Sequence, residues 1–197
     1  MKNILAVAGA VIAIFASLPY IIDIVRGKTK PNLVSWITWT LLLAVASAAL
    51  FAEHQVQAGL LVLGDGVSCL LVVPFGLKYG TATLDRFDIG CQIATLVGLV
   101  LWLVFDSPMI AVVATLAIDV VGSVPTLRHS WSQPNEETAS AFLISVVAAV
   151  LTLLSLTHYN LSAALYPVYL LILNTALFVT ISHGQRVGRV KTPTASE

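Results

Sequence analysis

The chain has 197 residues, of which 58% are hydrophobic and 10% charged, with ten basic side chains against ten acidic ones. A soluble domain carries about 25% charged residues; a chain with so few has no surface to offer water. The composition excludes a soluble globular protein and a basic nucleic-acid binder, and points to an integral membrane protein.

Apolar windows of about 20 residues cross about 30 Å of hydrocarbon as helices. Seven such windows are predicted, at 3–25, 32–52, 56–77, 87–105, 108–127, 138–157 and 161–182. The first reads as a retained span, because its apolar run is longer than that of a signal peptide and no small-residue cleavage site follows. It contains Pro19 and leads into a basic hairpin with Arg26, Lys28 and Lys30. The second span carries Trp36 and Trp39, either of which, like Tyr166 and Tyr169, could stack on a flat or ring-shaped solute; Trp36 is one turn from the membrane interface, where aromatic belts belong, and Trp39 is deeper and the better pocket candidate. In the third, Asp65 lies between Gly64 and Gly66, which admit close approach of another helix or a ligand; Ser68 and Cys69 follow.

The fourth window holds Cys91, Gln92 and Trp102, with Gln92 expected to tie it to a bundle and Trp102 to be interfacial. The fifth centres on Asp119 and ends near Pro125, and Trp131 beyond it is expected at the interface. The seventh carries Tyr166, Tyr169 and Asn174. Pro31, Pro108 and Pro134 fall in loops or first turns, where a missing N–H costs least. The polar end, "HGQRVGRVKTPTASE", is expected to fray.

Nine of the ten Lys and Arg residues then fall on one side and only Lys2 on the other. The positive-inside rule therefore predicts an external amino terminus and a cytoplasmic carboxyl terminus. Pro125 aligns with Pro19, and Ser123 with Ser17. Ser140 follows the second proline by 15 residues, as Ser35 follows the first by 16. "AEHQVQAGLL" at 52–61 echoes "THYNLSAALY" at 157–166. Spans 1–3 and 5–7 thus read as two copies of one unit, and the odd fourth span restores their parallel orientation. The expected fold is an all-α membrane protein of seven transmembrane helices, two parallel three-helix bundles joined by a linker helix. Its parts are a first bundle at 1–82, a linker at 83–106, a second bundle at 107–184 and a cytoplasmic tail at 185–197.

These residues resemble the SWEET and PQ-loop transporter superfamily. The resemblance rests on the 3+1+3 plan, the paired prolines and "LPYIIDIVRGKTKPNLVSWITW" with its basic turn, serine and aromatics. It covers nearly the whole chain. The family's Pro-Gln pair reads Pro19-Tyr20 and Pro125-Thr126 here, and of its paired asparagines Asn174 is present while the third span offers Asp65, Ser68 and Cys69. The nicotinamide riboside carriers share the same plan. The resemblance implies a transporter of a small polar solute (sugar-, vitamin- or amino-acid-like) working by alternating access, in a bacterial inner membrane. A ligand-binding receptor or sensor on the same fold is the alternative.

A carboxylate deep in a membrane faces a cavity or a partner, or holds a proton. Asp65 and Asp119 are therefore expected to couple protons to transport, with uptake rising under an inward proton gradient. Asp119 is the expected proton carrier because its neighbours along the helix are apolar; Asp65, Asn174, Trp39, Ser68 and Tyr169 are the expected solute contacts. Pro19 and Pro125 are the expected hinges, since each removes a helical hydrogen bond, and the cations after Pro19 are expected to anchor in headgroups.

The scattered histidines have no metal-ligand spacing, and phosphate-loop and nucleophile-elbow patterns are missing. Retinal chemistry is excluded because no lysine lies between Lys78 and Lys191. No catalysis, metal or cofactor is expected. The expected partners are the solute, membrane lipid and, as an open alternative, a second copy of the chain, but no nucleic acid.

Overall fold

A computed structural model describes residues 1–79, 86, 89–90, 93 and 108–191. Among these the secondary structure is helical throughout: α1 (Lys2–Phe15), α2 (Ser17–Val25), α3 (Leu33–Ala52), α4 (Val56–Tyr79), α5 (Pro108–Ser132), a 3-10 turn at Pro134–Glu136, α6 (Ala139–Ser155) and α7 (Leu161–Lys191). The predicted fourth span, with Cys91, Gln92 and Trp102, lies almost wholly outside the described residues.

Four helical stretches are long and apolar enough to cross a membrane: Lys2–Val25, Ser35–Ala52, Val56–Tyr79 and Leu161–Val187. Ala139–Ser155 is a shorter apolar helix. These stretches are compatible with an integral membrane protein. The surface agrees: Val7, Val11, Leu18, Ile22 and Val25 are exposed along α1 and α2, while Ser17, Asp65, Thr115, Asp119, Ser123 and Asn174 are buried. Lipid tails solvate the first set as well as a protein core would, so small and polar groups take over the contacts between helices.

The first predicted span is two helices. Phe15 ends α1, Ala16 keeps helical angles and α2 restarts at Ser17. Pro19 accounts for the break, since it has no N–H to return to the Phe15 carbonyl and falls in the first turn of α2, where that loss costs least. Pro125 sits inside α5, which runs through it unbroken. The two prolines are equivalent in sequence but not in their local effect.

Small residues set the packing. A Cβ on Gly64 would lie 2.5 Å from the Ala10 carbonyl oxygen of α1, and one on Gly66 3.2 Å from Leu43 Cβ of α3. The glycines beside Asp65 therefore serve contact between helices, not with a ligand. A Cβ on Gly9 would lie 2.7 Å from Thr152 Oγ1, which brings α1 against α6. Helix α4 packs on both α1 and α3, and α7 on both α5 and α6; α1 meets α6, and α3 meets α5.

At one end of the molecule the α2–α3 hairpin meets the α5–α6 hairpin. Gly27, with φ +71°, supplies the left-handed residue that ends α2, so that Lys28 N and Thr29 N both return to the Asp23 carbonyl. Asn32 caps α3 by accepting from Ser35 N. The predicted frayed tail is a correction: α7 continues as helix through the polar residues to Lys191. The extension is anchored, because Gln185 Nε2 donates to the Pro134 and Glu137 carbonyls at 2.9 and 3.0 Å. Helix α5 likewise outruns its apolar window, to Ser132.

Candidate functional site

Between the helices lies a cavity of about 550 Å³, its open mouth included. Helix α4 contributes Asp65, Ser68 and Cys69; α5 contributes Asp119; α3 contributes Trp36 and Trp39. Phe142 and Ser145 enter from α6, and Asn174 with Leu170 and Leu177 from α7. Five of the expected residues, Asp65, Ser68, Trp39, Asn174 and Asp119, thus converge on one space although they come from four helices. Tyr169 lies one layer behind, where its hydroxyl meets Ser123 Oγ at 3.2 Å.

The two carboxylates differ in their surroundings. Asp119 accepts from the Tyr166 hydroxyl at 3.4 Å and from Ser123 Oγ at 3.4 Å. Its setting is polar although its neighbours along the helix are mostly apolar: Ser123 comes from its own helix, and the hydroxyls of Tyr166 and Tyr169 come from α7. Asp65 is 7% exposed, and its Oδ2 has no hydrogen-bond partner. Trp39 Nε1 is also buried without a partner; it faces Asp119 but closes no bond with it. A buried polar atom left unpaired costs about 1–3 kcal/mol, so these two atoms mark where the cavity awaits something. Asn174 turns its Nδ2 onto the Leu170 carbonyl of its own helix at 2.8 Å.

Trp36 corrects another expectation. It is 7% exposed and lines the cavity, not the interface. Its ring lies edge-on to Trp39 with centroids 5.5 Å apart, and tilted against Tyr20 at 4.6 Å. The sequence position is one turn from the helix end, but α2 folds back and sets the Tyr20 ring against that turn. Trp131, by contrast, is exposed.

Tyr20 begins a clasp that sequence reasoning does not anticipate. Its hydroxyl donates to Glu137 Oε2 at 2.9 Å across the two hairpins. Thr138 Oγ1 donates to Asp23 Oδ2 at 3.1 Å. Since that uses its single proton, Thr29 Oγ1 is the donor in the 2.7 Å Thr29–Thr138 contact. Lys30 pairs with Glu136 and its backbone N–H reaches the Glu136 carbonyl at 3.1 Å. His129 Nε2 lies 3.7 and 3.9 Å from the carboxylates of Glu136 and Glu137. Lys30 thus pairs with the neighbouring hairpin while its side chain stays half exposed. One signal was present in the sequence: the basic turn of the first copy faces an acidic one, "PNEE", in the second.

Among the described residues no group of three or more His, Cys, Asp or Glu side chains is arranged to hold a metal ion. No family model, curated protein or solved structure matches the chain.

Proposed function

We propose that the chain is a membrane transporter that moves a small polar solute by alternating access, coupled to protons through Asp65 and Asp119. The observation that carries this reading is a buried two-carboxylate cavity with a clasp of side chains from two hairpins beside it: Tyr20 bonds Glu137, and its ring lies against Trp36 and Phe142 of the cavity wall. Such a closure opens by exchanging a few hydrogen bonds for water, without unfolding a helix. The break at Ala16 lies between clasp and cavity, where a swing of α2 would be felt by both.

In this reading seven spans form two parallel bundles. The helix contacts support the repeat, because exchanging α1, α3 and α4 for α5, α6 and α7 turns each principal contact into another: α1–α4 into α5–α7, α3–α4 into α6–α7, and α1–α6 into α5–α3. The clasp end also carries Arg26, Lys28, Lys30, Lys78, Arg128 and Arg186, which makes it the cytoplasmic end by the positive-inside rule. Both termini then follow, the amino terminus outside and the carboxyl terminus inside.

The test is solute-dependent proton movement. Purified protein is reconstituted with a pH-sensitive dye trapped in the vesicles, and sugars, amino acids, vitamins and organic cations are added outside in turn. At least one solute is expected to change internal pH in the wild type and not in the double variant Asp65→Asn, Asp119→Asn. Solute binding without flux of solute or proton would replace the transporter with a receptor.

A further inference from the structure

We propose that the solute is a small organic cation with at least one N–H donor on a flat or aromatic body, and that this cation and protons take turns on Asp65. The inference rests on the transport reading for its exchange step; the binding step stands apart from it.

The charge of the cavity is the first ground. Two carboxylates line it, while among the described residues no Lys, Arg or His side chain does. An ionised carboxylate in such surroundings needs a positive partner. The second ground is directional. Asp65 Oδ2 is an acceptor, buried and unpaired, so its natural occupant is an N–H on a charged group. The third is the wall. Trp36, Trp39 and Phe142 present aromatic surface beside the acids, and an organic cation gains from ring faces as well as from a carboxylate. A divalent metal ion is the poorer occupant: Mg2+ and Ca2+ take six or more oxygen ligands, this wall is mostly aromatic and aliphatic, and among the described residues no three His, Cys, Asp or Glu side chains gather to hold a metal. A neutral polyol is poorer too. It needs hydroxyl-matching donors and acceptors around its whole rim, and the cavity gathers few.

Asp119 plays a different part, because hydroxyls already hold it. It adds negative potential and leaves the direct contact to Asp65. The groups that bear on Asp65 are Asp119 from α5, Cys69 on α4 itself and Ser145 from α6. Trp39 from α3 and Tyr166 and Tyr169 from α7 bear on it only through Asp119. None of these carries a positive charge. Proton and cation therefore compete for one site, and the entry of one drives out the other.

Three benzyl ligands decide the matter: benzylguanidinium, its neutral planar isostere benzylurea, and benzyltrimethylammonium, which is charged but has a tetrahedral head and no N–H. Binding to the full chain in nanodiscs is read by calorimetry and by quenching of tryptophan fluorescence. Benzylguanidinium is expected to bind at least tenfold more tightly than benzylurea, several-fold more tightly than benzyltrimethylammonium, and more weakly as pH falls. Asp65→Asn, checked for an unchanged thermal transition, is expected to erase the preference for charge. Equal binding of benzylurea in the wild type would overturn the proposal without any variant. Equal binding of benzyltrimethylammonium would overturn the N–H contact at Asp65. If benzylguanidinium binds through Asp65 but never crosses vesicles, the transporter reading fails and the cation site stands. If neutral solutes cross with protons while no cation binds, the reverse holds.

Discussion

The hydroxyl of Tyr20 donates a 2.9 Å hydrogen bond to Glu137 Oε2, joining the residue after the first proline to the acidic turn after the second. Both partners are buried, Tyr20 at 1% and Glu137 at 4% exposure. In the proposed transport cycle the bond belongs to the closed state alone: if the hairpins part, both groups meet water.

Burial pushes the Glu137 carboxyl up to about 8, with the Tyr20 bond pulling against it and Glu136 adding to it. In the open state the same carboxyl meets water and titrates near its ordinary 4.5. The closed state thus holds more protons across that window. Its stability is full below the lower value, declines as pH rises and is lost as pH passes about 8. A cysteine at Ala141, with Cys69 and Cys91 replaced by serine, reports the opening. Relative to an exposed Lys28→Cys control, its labelling from the hairpin side should be several-fold faster at pH ~8.5 than at ~5.5, two values that span most of the window. Glu137→Gln should flatten the ratio and keep it low. A pH dependence that survives in Glu137→Gln would assign the opening to another group.

Tyr20→Phe keeps the ring stack on Trp36 and removes only the donor. The closed state should lose about 1–3 kcal/mol, the usual cost of a buried acceptor left unpaired. Labelling at Ala141→Cys should rise by tenfold or more near neutral pH, while the far-ultraviolet spectrum stays unchanged. Unchanged labelling would mean that the threonine and lysine contacts hold the clasp by themselves.

Gly64→Ala and Gly66→Ala should differ. The first places a methyl group 2.5 Å from a backbone carbonyl, which cannot move without shifting α1; overpacking of this kind costs about 1–3 kcal/mol. The second meets a side-chain Cβ at 3.2 Å, and a small adjustment of Leu43 accommodates it. Thermal unfolding in detergent should show a clear drop for Gly64→Ala and a smaller one for Gly66→Ala. Equal effects would remove the distinction between a backbone contact and a side-chain contact.

Pro19→Ala should restore a helical bond to Phe15 and join α1 to α2, stiffening the point where the hairpin swings. Flux should fall several-fold, or proton movement if that is the readout, with little change in thermal stability. Pro125→Ala should do less, because α5 is already continuous through that residue. Equal losses from the two variants would show that the break at Ala16 is not what matters.

Accessibility tests the orientation. Lys28→Cys in the cysteine-free background should react with an impermeant thiol reagent only from the cytoplasm, and a tag ahead of Lys2 should be detected only from outside. External labelling at position 28 would invert the topology and put the clasp on the outer face.

Much of this protein is legible in local chemistry alone. Long apolar runs demand helices, since a backbone in lipid must satisfy its own hydrogen bonds. Pro19, Gly27 and Asn32 announce a helix break, a helix end and a helix start through side-chain properties that act within one turn. Asp65, Asp119 and Asn174 stand out because a polar group near the middle of an apolar helix needs a reason to be there. Orientation around each helix is not legible in the order of residues. Trp36 is buried on a cavity wall because α2 folds back and sets Tyr20 against it; Asp119 is polar in its setting because two tyrosines come from α7; the tail continues as helix because Gln185 finds carbonyls 51 and 48 residues away. Only the tertiary structure decided these, since each depends on which helix stands opposite. Hydrophobic periodicity is little help here: in lipid the outward face is as apolar as the inward one, so the pattern that orients a soluble helix is largely erased.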